Sequence, residues 1–146
     1  DAASDMLSSV RCGLRALPQG CDAVLVVLAD QPGITSDLID EMTRAFAAVC
    51  QGILVPRHHG QRGHPLLFSI RYRDEILVRH DDVGLRGLLR AHPEDITELS
   101  VATPAVLSDM DYPEDYRRAL ASFNRRRRQP RPSAAPPGAT RVNRRE

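Results

Sequence analysis

Apolar residues in the first half of the chain alternate between two spacings. In residues 4–17, Leu7, Val10, Leu14 and Leu17 recur at intervals of three and four, the period of one helix face. Ser4 can cap that helix, and Pro18-Gln19-Gly20 stops it. Residues 23–29, AVLVVLA, are instead continuously apolar and β-branched, the pattern of a strand covered on both faces in a parallel sheet. The helical period returns after Thr35 or Ser36, either of which suits a cap. Leu38, Ile39, Met42, Ala45, Phe46 and Val49 then share one face as far as residue 49. GILVP, 52–56, reads as a second buried strand.

The second half repeats the alternation in shorter pieces. HPLLFS (64–69) suits a third strand, RYRDEILVRH (71–80) and GLRGLLRAH (84–92) two short helices, and ELSVA (98–102) an edge strand. Pro113 fits the first turn of a last helix, PEDYRRALASF, with Asp111 as a possible cap. Strands alternating with helices predict an α/β layered fold, because parallel strands need crossovers and helices supply them. From Arg125 the chain is Arg, Pro, Ser, Ala and Gly without periodicity. Residues 1–124 are therefore expected to form the domain, and 125–146 a disordered Arg/Pro-rich tail.

Composition adds bounds. With 146 residues, 42% apolar and 27% charged, one domain with a core is expected. No apolar run approaches the ~20 residues of a membrane helix, and the opening DAASD is not a signal peptide. The start without Met hints at a fragment or a processed chain. Cys12, Cys21 and Cys50 are odd in number and widely spaced, which suits a reducing cytoplasm. The net charge of +1 hides an asymmetry: residues from 125 onward carry eight Arg and one Glu, while residues 1–124 carry 12 Arg against 18 acids. Such a tail could bind nucleic acid in a salt-dependent way. It lacks interleaved aromatics for stacking, so a solvated tail is the expectation.

Candidate chemistry begins at Asp30, where the buried strand breaks into Gln31-Pro32-Gly33. In open α/β sheets ligands bind beyond the carboxyl ends of strands. A carboxylate there can hold a hard cation such as Mg²⁺, or only cap the turn. Asp109 and Asp111, two apart before the last helix, could converge on the same ion, or Asp111 could cap the helix.

Five stretches together resemble the MobA-like nucleotidyltransferases, within them the molybdenum-cofactor cytidylyltransferase type. They are SSVRCGL (8–14), VLVVLADQP (24–32), QRGHPLLF (61–68), DVGLRGLLR (82–90) and LSDMDYPEDY (107–116). The resemblance implies a Rossmann-like three-layer nucleotidyltransferase fold with a mainly parallel sheet. It implies transfer of NMP, CMP favoured, from NTP (CTP) to a phosphorylated acceptor such as molybdopterin, with release of pyrophosphate. Mg²⁺ would be held by Asp30 and Asp111, or by Asp109 in place of Asp111. Ser8, Ser9 and Arg11 would lie on the nucleotide side. Arg62, Gly63 and His64, with Asp82 and Gly84, would form the acceptor side. Three histidines between 58 and 64 also raise Zn²⁺, although adjacent His58 and His59 should point apart on a strand.

The resemblance does not reach the family's Gly-rich, Lys-containing triphosphate loop, and the chain has no Lys. Asp5-Met6-Leu7, Asp81 and Val83 also depart from the family's pattern. The first strand–helix units are expected to be missing, roughly 30 residues or more. The strand at 23–29 should then lie at an exposed edge, and a complete active site is not expected within these residues. The alternative is a non-catalytic protein that holds the molybdenum cofactor.

Overall fold

The computed structural model describes residues 2–49, 52–110 and 112–128. Five helices, α1 (Ala2–Ala16), α2 (Ser36–Val49), α3 (Arg73–Val78), α4 (Leu85–Ala91) and α5 (Pro113–Arg128), accompany five strands. The strands are β1 (Ala23–Val26), β2 (Ile53–His58), β3 (Gln61–Arg62), β4 (Leu66–Ser69) and β5 (Ile96–Ser100). They form one sheet in the order β1-β4-β2-β3, with β5 beside β2.

Strand alternation divides the core into two layers. Successive side chains of a strand point to opposite faces. Ile53, Val55, Leu66 and Phe68 accordingly meet Leu7 and Leu14 of α1, Ile76 of α3, and Leu85 and Leu88 of α4. Leu54 and Leu67, one residue out of phase, meet Leu38 and Met42 of α2 together with Val106. The three-layer α/β arrangement is the one the periodicities predict.

Strand direction is mixed. β2 and β5 pair in parallel, Ile53 opposite Ile96, but β1–β4, β2–β4 and β2–β3 are antiparallel. β1, β2 and β5 thus run the same way, and β4 runs against them between β1 and β2. The expectation of a mainly parallel sheet holds for those three directions and not for the pairings, because the hairpin bend at His59-Gly60 reverses the chain and both β3 and β4 run back beside β2. β3, which no apolar pattern predicts, pairs with the end of β2 as a two-residue hairpin arm.

β1 is shorter than the apolar run that contains it. Val27 is exposed (46%), and Ala23 to Val26 are half-buried rather than covered on both faces. Among the described residues β1 pairs only with β4.

Helix ends follow local chemistry. Thr35 caps α2, its Oγ1 accepting from the Leu38 amide at 3.4 Å. Tyr112 precedes Pro113, and Asp115 reaches back to accept from the Tyr112 amide at 3.1 Å, the reciprocal half of a capping box. The cap expected from Asp111 lies outside the described residues. α5 runs five residues further than its apolar pattern, through Arg128. Arg is a good helix former, and cations favour a helix C-terminus. The rest of the expected tail lies outside the described residues, as does Cys50.

Candidate functional site

Three loops meet beyond the end of β1: residues 30–33, 63–65 and 104–110. Their approach is too close for side chains at two glycines. A Cβ on Gly63 would stand 2.1 Å from the Val106 carbonyl oxygen, and one on Gly33 2.7 Å from the Ala105 Cβ. Backbone hydrogen bonds lock the contact. His64 N–H donates to Val106 O at 2.9 Å, Gly63 N–H to Pro56 O at 2.9 Å, and Met110 N–H to Asp30 O at 3.1 Å.

This junction gathers Asp30, Gln31, His64 and Asp109. Asp30 and Asp109 are exposed, whereas Gln31 is buried at 4% exposure. The Gln31 Nε2 donates to Asp109 Oδ1 at 2.6 Å. Burial holds the His64 imidazole below its usual pKa, and Arg86 adds to this. The negative charges of Asp109 and Asp30 act on it in the opposite sense, which places both carboxylates in its electrostatic neighbourhood. Gln31 Oε1 and His64 Nδ1 are buried without a hydrogen-bond partner among the described residues. An open groove of about 660 Å³ leads away from Asp109 between Pro32, Leu107, Arg118 and Phe123.

The donor set suits a hard divalent cation: two oxygen-bearing, solvent-facing carboxylates on rigidly joined loops. Asp111, named with Asp30 from the sequence, lies outside the described residues. Nothing in the sequence marks Gln31, since a Gln after a strand carries no signal until its tertiary partner is known.

The other sequence-predicted residues occupy different places. Arg62 extends from β3 and pairs with Glu98 of β5 at 2.7 Å, beside Arg57 at 3.0 Å. Ser8 and Ser9 are exposed on α1. Arg11, on the same helix, is spent on structure: it donates to Ile76 O at 2.8 Å and Arg79 O at 2.7 Å and pairs with Asp81. It thereby satisfies carbonyls that α3 leaves open at its end. Arg73 of α3 returns the favour, donating to Leu14 O of α1 at 3.1 Å. Asp82 is exposed in the loop so anchored. Gly84 begins the seven-residue α4 with its amide already given to His80 O at 2.8 Å.

The histidines at 58–64 do not gather around an ion. His59 adopts φ 46°, which turns it into the hairpin bend. Its ring lies 4.2 Å from that of His58, edge to face, rather than pointing away along a strand. His58 Nδ1 is 3.0 Å from Val101 O. Among the described residues, the group of three spaced for a metal is His92, Glu94 and Asp95. It belongs to a network in which His92 Nε2 and His80 Nε2 each lie 2.8 Å from a different oxygen of Glu75. Arg71 and Tyr72 both bind Asp95 in the same network.

Glu75 makes this network pH-sensitive. Burial pushes its carboxyl up, but the hydrogen bonds and charges of His92 and His80 outweigh burial and hold it below its ordinary 4.5. A depressed folded-state pKa adds stability that is present above the unfolded value and lost as pH falls through the folded one. Thermal unfolding of the parent should therefore weaken more steeply below about pH 4.5 than that of Glu75→Gln. Parallel acid profiles for the two would show that the network contributes nothing.

No helix among the described residues is long and apolar enough to cross a membrane. No curated protein matches the sequence. Among solved structures, the chain is similar to Rv0371c of Mycobacterium tuberculosis H37Rv: 28% identity, TM-score 0.67, covering 79% of this chain and 59% of that one. A manganese complex of the same protein aligns at 28% identity and TM-score 0.65, over 77% of this chain and 59% of that one. The homologue from Mycobacterium sp. strain JC1 aligns at 26% identity and TM-score 0.66, over 81% of this chain and 58% of that one. The chain thus spans less than two thirds of the length of these structures, which have the nucleotidyltransferase fold. The family model of the MobA-like NTP transferase domain matches residues 1–96. On that match, over the sheet and helices that bring the loop of Asp30 to its place, the chain belongs to the MobA-like NTP transferase domain family.

Proposed function

We propose that these residues form the metal and acceptor half of a nucleotidyltransferase. The reaction is transfer of CMP from CTP to a phosphorylated acceptor of the molybdopterin type, with release of pyrophosphate. The observation that carries this reading is the junction beyond the carboxyl end of β1 in a MobA-like domain, where Met110 N–H bonds Asp30 O and Gln31 Nε2 bonds Asp109 Oδ1. Family membership supports nucleotidyl transfer in general. The manganese complex of Rv0371c supports a divalent cation.

In this reading Asp30 and Asp109 hold the cation, Mg²⁺ by preference, and Asp111 is a further candidate beyond the described residues. Bound there, the ion supplies charge neutralisation between two approaching phosphates. The chain's own part is positioning. The backbone bonds of loops 30–33, 63–65 and 104–110 fix the loops that carry the carboxylates before substrate arrives, so less reorganisation is left for the reaction itself. Gly63 and His64 border the acceptor, and Ser8 and Ser9 the nucleotide. Asp82 and Gly84 sit on an acceptor-side loop that Arg11 steadies through Asp81. Arg62 reaches the acceptor only by leaving Glu98.

The test uses the complete protein, Mg²⁺, a molybdopterin-type acceptor and each NTP in turn, with pyrophosphate as the readout. Release that requires both CTP and acceptor is expected. Stoichiometric binding of the acceptor without release from any NTP would overturn the transferase in favour of a cofactor-holding protein.

A further inference from the structure

The two carboxylates of the junction are held very differently. Asp30 lies four residues past the end of β1, in a turn closed by Gln31 N–H to Leu28 O, and a second turn follows, closed by Ile34 N–H to Gln31 O. Asp109 lies in an exposed segment between Val106 and α5, and as an exposed side chain it would sample several rotamers. What restrains it is a single side chain from the other loop. Gln31 Nε2 donates to Asp109 Oδ1 at 2.6 Å, while Met110 N–H donates to Asp30 O at 3.1 Å. The residue after the first carboxylate thus grips the second carboxylate, and the residue after the second grips the backbone of the first.

Gln31 is an expensive choice for packing alone. It is the one buried polar or charged residue among those described, and its Oε1 has no partner among them. A buried acceptor left unpaired is destabilising, and an apolar side chain of the same shape would avoid that penalty. A carboxylate accepts hydrogen bonds and cannot donate them, so the amide must face Asp109 through Nε2. That leaves Oε1 on the buried side. The orphaned acceptor is the consequence of aiming the donor at Asp109.

We propose that Gln31 is a positioning residue that holds the Asp109 carboxylate in register with Asp30 for a shared divalent cation. The proposal rests on the metal site of the preceding reading. Groups that hydrogen-bond to metal ligands without touching the ion orient those ligands, and their loss weakens metal affinity about 10- to 100-fold. Gln31 has that relation to Asp109. Asp109 Oδ1 is occupied by the amide, which leaves Oδ2 to face the ion.

The experiment is a Mn²⁺ titration of the complete protein followed by electron paramagnetic resonance, on the parent, Asp30→Asn, Gln31→Met, Asp109→Asn and the Gln31→Met/Asp109→Asn pair. Gln31→Met keeps length and volume while removing both polar atoms. The parent should bind Mn²⁺, and Asp30→Asn and Asp109→Asn should each bind it measurably more weakly. If the parent fails to bind, or Asp30→Asn binds equally well, the metal site itself is wrong. Given that site, Gln31→Met should weaken binding about tenfold or more and broaden the bound-ion spectrum. In the Asp109→Asn background the same substitution should change affinity less than about twofold. Unaltered affinity in Gln31→Met, or an equal loss in both backgrounds, would overturn the proposal and leave Gln31 a packing residue. Should Gln31→Met not fold, Gln31→Asn repeats the cycle, since its amide stops one methylene short of Asp109. Parent-like affinity in Gln31→Asn would be equally fatal to the idea.

Discussion

An Asp30→Asn variant of the complete protein is expected to fold like the parent and to lose metal-dependent pyrophosphate release by about 10³-fold. Both halves of the expectation come from the position of the residue. Asp30 is exposed in the turn beyond β1, and its carboxylate accepts no hydrogen bond from any described residue. What the structure uses is its backbone carbonyl, which accepts from Met110 N–H, and Asn keeps that group. Surface substitutions of this kind usually change stability within about 0.5 kcal/mol. The chemistry is another matter. A bound cation stabilises the charge of a phosphoryl transition state by several kcal/mol, and removing one of two anionic ligands forfeits much of it. At about 1.4 kcal/mol per decade, a loss of roughly 4 kcal/mol is a thousandfold. Initial rates of pyrophosphate release across Mg²⁺ concentrations, with circular dichroism as the fold control, measure both. Near-parental turnover would remove Asp30 from the metal site.

Gly63→Ala is expected to produce the largest loss of stability among simple substitutions at the site. The new methyl would lie 2.1 Å from Val106 O and 2.7 Å from Val106 C. Those atoms are backbone, and Val106 is fully buried, so neither side can yield cheaply. Overpacking of this kind costs about 1–3 kcal/mol. The segments being pushed apart carry His64 and Asp109, so metal affinity should fall with the melting temperature. Gly13→Ala supplies the matched control. Gly13 is exposed within α1, and its added Cβ meets nothing within 4 Å. Relief of the helix penalty of glycine should raise stability by about 0.5–1 kcal/mol. Thermal melts of the two variants beside the parent should move in opposite directions. If both shift alike, the contact of Gly63 with the Val106 segment is not what holds the loops together.

Legibility varied with the range of the interaction that decided each feature. α2 occupies the residues its apolar face predicts, because a cap at Thr35 and a helical period over about three turns are local. The stretch 52–56, which reads as a buried strand, and the stretch 64–69, which reads as a strand, both contain strand residues for the same reason. Their mutual direction was not, since an apolar run reads the same for a parallel or an antiparallel neighbour. The end of α5 was missed because the arginine run lacks an apolar period, yet its residues favour helix. Arg11 shows the same limit at a candidate site. As a residue type it suits a phosphate, but the fold gives its guanidinium to the end of α3 and to Asp81.

The sequence by itself settled the layered α/β class and marked Asp30 as a carboxylate at the mouth of a strand. Both follow from patterns within about fifteen residues, where hydrophobic period and turn chemistry act without distant partners. Tertiary structure alone decided that Gln31 meets Asp109, 78 positions away, and that Gly63 must be bare to admit Val106. Those facts depend on which loops the sheet order sets side by side, and a polar residue's role is defined by the partner it is given.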